Sequence, residues 1–406
     1  MKTLHFIRHG QTKENLQKIW QGHTETALDL IGLEQAINVS KRLKNYNQVF
    51  SSDLKRAVET ANHISSKVEK RKELREVDVG SFVGKKVSET YTNNPLILKS
   101  LIDDSFAFPN GESMKDFRGR VKQELDYLFS QTKENETSIV VTHGFFIGTA
   151  IGSTLGFKEF PYPIGNISNT SISTIIEREG IRQVNKFNDS IHLDLKHDFP
   201  IKLFNSQITF MRHGQTDSNT EGVWQGKLDN PLNGFGIKTA EQLSTKISKY
   251  NEYLSSPLKR TQQTMKIITN EKFKTYKELV EIDLGKWEGM TTKEILENFR
   301  TNFISSLFLD NKSKYGEVGE SLLEVGERVE KLIKKFKNKK VLISSHGGTI
   351  KAGVTKLLNL PDIKAASGLT IPNNLGISTL VFENNQYQLW SYNVGEIGYE
   401  NFTYNK

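Results

Sequence analysis

Apolar runs and apolar periodicities alternate along the chain. Residues 4–7 (LHFI) form a short apolar run ending at a turn-prone glycine, which predicts a buried strand. Leu33, Ala36, Ile37 and Leu43 recur at helical spacing over 33–46, and VFSS at 49–52 reads as a second strand, with Ser52 or Asp53 available to cap a following helix. Val121, Leu125, Leu128 and Phe129 predict another helix over 112–129. The β-branched run at 138–141 (SIVV) has the character of a central strand buried on both faces. Strands alternating with helices imply an α/β domain with a mostly parallel sheet, whose ligands bind beyond the carboxyl ends of the strands.

The whole pattern then occurs a second time. LHFIRHGQTKEN at 4–15 returns as ITFMRHGQTDSN at 208–219, VFSSDLKRAVETA at 49–61 as YLSSPLKRTQQTM at 253–265, and ELREVDVGSFVG at 73–84 as ELVEIDLGKWEG at 278–289. NGESMKDFRGRV at 110–121 matches VGESLLEVGERV at 318–329, and SIVVTHGFFIG at 138–148 matches VLISSHGGTIK at 341–351. His213 follows His9 by 204 residues and His346 follows His143 by 203. A unit of this length is a duplicated domain rather than a solenoid repeat. Each copy closes on a strand-like pair, SISTIIE and IRQVNKF in the first, GISTLVF and YQLWSYN in the second. The expected organisation is a domain over 1–190, a linker over 191–206 containing HDFP, and a domain over 207–406; packing of the two on each other and connection by the linker alone are both compatible with the pattern.

Composition narrows the function classes. The 406 residues are 36% hydrophobic and 10% aromatic, enough for two cores. There is no cysteine, which removes disulfides, thiolate metal sites and thiol nucleophiles. The net charge is +8, with 27 Lys+Arg against 25 Asp+Glu in residues 1–200 and 28 against 22 in the remainder. Such an excess attracts anions. Its densest run, KLIKKFKNKK at 331–340, lies on a pattern in which Val329, Leu332, Ile333 and Phe336 form the buried face, so its lysines read as a solvated surface. No nucleic-acid-binding motif accompanies the charge, and no nucleic-acid partner is expected. The sequence has no run of eighteen apolar residues and no apolar stretch of signal-peptide length before its first charged motif. The expectation is no membrane partner and a cytoplasmic location.

The three sharpest polar motifs, Arg8-His9-Gly10, the Ser51-Ser52 turn and Thr142-His143-Gly144, each follow a predicted strand, so the fold gathers them at one sheet edge. With Arg56 and Glu76 they make a set of two guanidinium groups, two imidazoles and one carboxylate. Guanidinium forks match phosphate oxygens, a neutral imidazole is a competent nucleophile, and a carboxylic acid can protonate a departing alkoxide. Phosphoryl transfer needs mostly positioning and charge neutralisation. No ligand spacing for a metal appears, so neither metal nor cofactor is expected.

On these motifs each half resembles the histidine phosphatase superfamily, also called the phosphoglycerate-mutase-like family, and the resemblance covers nearly the whole chain. It implies a three-layer α/β/α fold in each domain. It implies that His9 and His213 become phosphorylated, that Glu76 and Glu281 donate the proton to the leaving group and then activate water, and that His143 and His346 complete the phosphate pocket. Arg8, Arg56, Arg212 and Arg260 would bind phosphoryl oxygens; Asn15 and Asn219 match the family's phosphate-contacting asparagine; Gln21-Gly22 and Gln225-Gly226 match its substrate loop. Phe82-Val83-Gly84 departs from the Trp287-Glu288-Gly289 pattern typical of the family, which bears on fine substrate contacts of the first domain and not on its nucleophile. Glu73, Asp78, Glu278, Asp283 and Glu288 compete for the proton-donor role.

Two fates are open to a phosphohistidine, transfer to water or to a second substrate oxygen. The resemblance ties the mutase outcome to a longer basic insertion between the glutamate and the second histidine. That interval is 67 residues in the first half and 65 in the second, and neither segment is arginine-rich. The expectation is a metal-independent phosphomonoesterase of the broad-specificity branch. The alternatives are a cofactor-dependent phosphoglycerate-mutase-type phosphotransferase, or one active domain beside a regulatory one. The expected partner is a small phosphorylated substrate, with a phosphoprotein as the other candidate. Tyr91, Phe106 and Phe108, and Phe299, Phe303 and Phe308, are placed either as caps that favour apolar leaving groups or as plain core. His5, His23, His63, His192 and His197 have no counterparts in the second half and read as surface or packing histidines.

Overall fold

The structure, a computed structural model, describes residues 1–93, 99, 103–193 and 206–395. The chain divides into two compact units, Met1–Leu193 and Asp194–Lys406. Most of the expected linker, together with His197, lies outside the described residues.

Unit 1 holds β1 (Lys2–Arg8), β2 (Gln48–Ser52), β3 (Glu69–Arg71), β4 (Thr137–Thr142), β5 (Ile172–Arg178) and β6 (Ile181–Asp189), in the spatial order β3-β2-β4-β1-β5-β6. The first four pair in parallel, while β5 and β6 close the sheet antiparallel. Alternation along the strands sorts their side chains. Ile7, Val49, Ile139 and Val141 pack with Val39, Ala57 and Ala61 of the helices Leu30–Arg42 and Lys55–Ile64. Phe6 turns to the other face and meets Phe146 of the helix Gly144–Thr154. Burial of these large side chains is the main driving force for the layering.

Unit 2 repeats the architecture with β7 (Ser206–Arg212), β8 (Glu252–Ser255), β9 (Lys274–Thr275), β10 (Lys340–Ser345), β11 (Ile377–Glu383) and β12 (Gln386–Val394), ordered β9-β8-β10-β7-β11-β12. Met211, Leu342, Tyr253 and Ile377 meet Ala240, Met265 and Ile268 on one face. A second cluster, built on Trp287, Phe303, Leu307, Tyr315 and Leu322, packs against Trp224, which precedes Gln225-Gly226. Both units are thus three-layer α/β/α domains with mixed, mostly parallel sheets.

Two local expectations are corrected. The helix after β2 starts at Lys55 with Leu54 as its N-cap, and no side chain caps it. Ser52 is engaged elsewhere by His143, and Asp53 by Arg75. On the helix Leu30–Arg42 the buried positions are Gly32, Ala36 and Val39, while Ile37 is exposed. The phase set by Ala36 and Val39 turns that residue outward. The two helices expected over 112–129 and through 329–336 run over Met114–Gln131 and Leu322–Ile333, the latter continuing as a 3₁₀ turn over Lys334–Phe336.

Candidate functional site

Register brings the motifs together. Arg8 pairs with Thr142 across β1 and β4, and Ser51 pairs with Val141 across β2 and β4. His9 and His143 therefore leave adjacent strand ends, with ring centroids 5.1 Å apart. The helix after β2 delivers Arg56 to the same edge. In unit 2, Arg212 pairs with Ser345, and the rings of His213 and His346 are 5.4 Å apart.

Each first histidine is held in one tautomer. Nδ1 of His9 donates to the carbonyl of Gly10 at 2.8 Å, so Nε2 carries the lone pair and accepts from Nε of Arg56 at 3.3 Å. Nδ1 of His213 donates to the carbonyl of Gly214 at 2.7 Å. Burial, then the neighbouring guanidinium groups, hold both imidazoles well below their usual pKa, so they are neutral near pH 7. His143 and His346 are held down likewise by burial first and then by Arg56 or Arg260. Their Nε2 atoms meet the hydroxyls of Ser52 (2.9 Å) and Ser256 (2.8 Å), and their Nδ1 atoms are buried without a protein partner.

The arginines are fixed by backbone carbonyls. Arg56, 1% exposed, donates from Nη1 to Thr24 at 2.8 Å and from Nη2 to Gly22 at 2.9 Å. Arg260 makes the equivalent bonds to Leu228 and, at 2.9 Å, Gly226. Burial lowers both to about 10, which still leaves them cationic at neutral pH. Gly22 and Gly226 sit at φ +48° and +52°, and a Cβ on Gly22 would come within 3.1 Å of Val79 and Val83. Arg8 and Arg212 anchor on the carbonyls of Ile167 and Pro372. Asn15 is oriented by a capping box: Thr12 accepts from its backbone N–H while its Oδ1 accepts from the N–H of Thr12, both at 3.2 Å. Asn219 and Thr216 repeat this. Gln21 accepts hydroxyl bonds from Thr12 and Thr26 through Oε1, whereas Oε1 of Gln225 is buried with no partner.

Among the competing carboxylates, Glu76 and Glu281 are the ones that reach the first turns of the helices that follow the second histidines. Glu76 accepts from the N–H of Phe145 (3.2 Å) and of Val77 (3.0 Å). Part of its surface stays open, yet the dense protein around the carboxyl raises its pKa above the usual carboxylate range, against the pull of those two N–H groups. Glu281 accepts from the N–H groups of Gly348 (3.2 Å), Thr349 (3.0 Å) and Ile282 (2.9 Å), and the Thr349 hydroxyl, 2.8 Å from the Val280 carbonyl, also lies 3.2 Å from its carboxyl. Asp78 and Asp283 are used instead to brace the following turns, through the N–H groups of Gly80 and Gly285.

In unit 2 these groups open onto a cavity of about 200 Å³ whose walls include His213, Arg260, Glu281, Asn219 and Gln225. Neutral imidazoles, fixed guanidiniums and a carboxyl in one concave site suit an anionic ester. Among the described residues there is no His/Asp/Glu cluster able to hold a metal ion, and no helix is long and apolar enough to cross a membrane.

The family model of the histidine phosphatase superfamily (branch 1) matches residues 4–190 and again 208–395. The chain belongs to this superfamily. A probable phosphoglycerate mutase of Proteus mirabilis is 29% identical over 183 residues, covering 43% of this chain and 85% of the relative. Phosphoserine phosphatase 1 of Hydrogenobacter thermophilus is 33% identical over 165 residues, covering 38% of this chain and 77% of the relative. Among solved structures, a phosphoserine phosphatase mutant of Entamoeba histolytica with phosphoserine is 32% identical, covers 48% of this chain and all of that one, and superposes with a TM-score of 0.45.

Several neighbours of the two histidine phosphatase sites escaped the motif reading. Asn169 donates to the carbonyl of His9 at 2.8 Å and to Asn15 at 3.3 Å, and Asn374 does the same for His213 (2.9 Å) and Asn219 (3.2 Å). Thr60 and Thr264 accept from Gly10 and Gly214, each at 2.9 Å. All four recur between the halves, and that recurrence was the available signal. The cap aromatics turn out to be largely core: Phe108 meets Phe82 edge-on, and Phe303 packs with Trp224 and Trp287. The side chain of Tyr91 lies outside the described residues. His23 is half-buried, and its Nε2 lies 2.8 Å from the carbonyl of Glu76.

Proposed function

We propose that each domain hydrolyses phosphate monoesters through a phosphohistidine. The observation that carries this reading is the tautomer lock: Nδ1 is spent on the next carbonyl, so Nε2 is the nucleophilic nitrogen, and in the first domain it faces Arg56. Nε2 of His9 attacks phosphorus in line with the ester oxygen. Arg8, Arg56, Asn15, the Gln21-Gly22 loop and Nδ1–H of His143 hold the phosphoryl oxygens as charge builds. Glu76, protonated more readily than a free carboxylate, gives its proton to the departing alkoxide. It then takes a proton from the water that attacks the phosphohistidine, and inorganic phosphate leaves. His213, Arg212, Arg260, Asn219, Gln225-Gly226, His346 and Glu281 take the same parts in the second domain. The site supplies its own positive charge, which supports a metal-independent reaction.

The relative named as a phosphoserine phosphatase makes phosphoserine a first candidate substrate. The relatives named as probable phosphoglycerate mutases favour the transferase as the second reading. The test compares wild type, His9→Ala, His213→Ala and the double variant on para-nitrophenyl phosphate and phosphoserine, with and without EDTA. Activity that survives EDTA, drops in each single variant and vanishes in the double supports two phosphohistidine sites. Complete loss in one single variant assigns the other domain a regulatory role or a narrower substrate. No hydrolysis by wild type, with phosphate exchange between phosphoglycerates, establishes the transferase.

A further inference from the structure

Residue 23 joins the two halves of the first site, and its counterpart is a different kind of cation. Nδ1 of His23 lies 3.8 Å from Oδ2 of Asp78, while Nε2 donates to the carbonyl of Glu76 at 2.8 Å. The equivalent residue in the second domain is Lys227, whose Nζ binds Oδ2 of Asp283 at 2.5 Å. The preceding glycine, Gly22 or Gly226, lends its carbonyl to the phosphate arginine, Arg56 or Arg260. Asp78 and Asp283 brace the turn just after the proton donor, through the N–H groups of Gly80 (2.9 Å) and Gly285 (3.0 Å). The clasp therefore links the loop that grips the phosphate arginine to the segment that carries the carboxyl.

An imidazole holding one proton at Nε2 keeps its bond to Glu76 but turns a bare lone pair toward the carboxylate of Asp78. A second proton, at Nδ1, converts that contact into an ion pair. A lysine is cationic throughout the neutral range. We propose that His23 is a positioning residue whose second tie to the proton-donor segment, the ion pair with Asp78, forms only when the ring is doubly protonated, and that Lys227 keeps the equivalent tie to Asp283 in the second domain at every physiological pH. This rests on the phosphatase reading of both sites. The charged groups around His23 are Asp78 and Glu76 on the donor segment, Arg120 on the helix Met114–Gln131, which shares the Glu76 carbonyl at 3.2 Å, and Glu112, which pairs with Arg120. Arg75 lies on the donor segment as well, Glu25 and Arg56 flank the loop, and His143 lies behind it. Those other cations keep their charge where an imidazole loses it, which leaves His23 as the group that makes the contact with Asp78 conditional.

The test uses the full chain with one domain silenced and phosphoserine as substrate, since its leaving group needs the proton. In His213→Ala, the ratio of kcat/KM at pH 6 to that at pH 8 is expected to fall about fivefold when His23→Lys is added, with the gain at pH 8. His23→Gln, which keeps a donor for Glu76 and cannot ionise, is expected to flatten the profile at the lower, high-pH rate. In His9→Ala, Lys227→His is expected to introduce a decline above pH 7. Profiles that superimpose on their parents in all three variants overturn the proposal. If neither parent hydrolyses any ester, the phosphatase reading fails by itself, and the His23 ring signal followed by NMR against pH decides. A titration midpoint lowered by Asp78→Asn supports the clasp, and an unchanged midpoint overturns it.

Discussion

Glu76 and Glu281, the proposed proton donors, share a motif and differ in how they are held. Glu281 receives three backbone N–H groups, two of them from Gly348 and Thr349, with the Thr349 hydroxyl beside it, whereas Glu76 receives two and is raised by burial. The cause is local sequence. Where the second domain has Gly348-Thr349, the first has Phe145-Phe146: Phe146 has no hydroxyl and is committed to Phe6, and Phe145 stacks between Trp20 and Phe160 at 6.1 and 5.9 Å. A Cβ at Gly348 would lie 2.8 Å from Ile282 and 2.9 Å from Glu281, so the second site keeps that wall bare. Both copies keep the same residue types around the two histidines, while the surroundings of the two glutamates differ.

The comparison is most exposed to removal of the carboxyls themselves. Glu76→Gln and Glu281→Gln, each in a chain with the other domain silenced, are expected to lose about 10²–10⁴-fold in kcat on phosphoserine and much less on para-nitrophenyl phosphate, whose phenolate leaves without a proton. Equal losses on both esters would assign the glutamates to phosphate binding. Because Glu76 is raised by burial, the first domain is expected to keep its activity to a pH above the usual carboxylate range before deprotonation of the acid removes it.

The next effect is on stability. His5, His9, His143 and His192 are depressed in the first domain, the outer two to about 4, against His213 and His346 in the second. Depressed histidines stay neutral in the fold while the unfolded chain takes up protons, so stability falls as pH drops through 6.5. Each contributes up to about 1.4 kcal/mol per pH unit. Glu76 and Glu124, both raised by burial, offset part of this in the first domain. Hydrogen exchange on the full chain, corrected for intrinsic rates, is expected to show the first domain losing more protection between pH 6.5 and 5.

Smaller effects sharpen the contrast in specificity. Phe145→Gly is expected to lower the ratio of aryl- to sugar-phosphate hydrolysis by the first domain about tenfold, the scale of one aromatic contact. An unchanged ratio would show that the stack is only core. Thr349→Val removes the hydroxyl that lies between Glu281 and the Val280 carbonyl and is expected to cost the second domain a few-fold in kcat, about 1 kcal/mol. An unchanged kcat would make the hydroxyl irrelevant.

Repetition made much of this readable in advance. Residues held by both copies at matching offsets, His9 and His213, Arg56 and Arg260, Glu76 and Glu281, stand out because chance does not repeat five long motifs in order. Asn169 and Asn374 were equally repeated but carried no recognisable chemistry, since an asparagine that buttresses a backbone carbonyl looks like any turn residue. His23 gives no repeated-histidine signal, since its counterpart is Lys227, although each lies beside the equivalent aspartate, Asp78 or Asp283.

The sequence by itself determined the α/β class, the duplication and the residues able to handle phosphate, because periodicity and side-chain chemistry are local properties. Only the tertiary structure decided which nitrogen of His9 is free, which carboxyl of a crowded acidic stretch meets the helix N-terminus, and how differently Glu76 and Glu281 are held. Those depend on strand register and on contacts between residues as far apart as Glu281 and Thr349, and no local pattern encodes a distance.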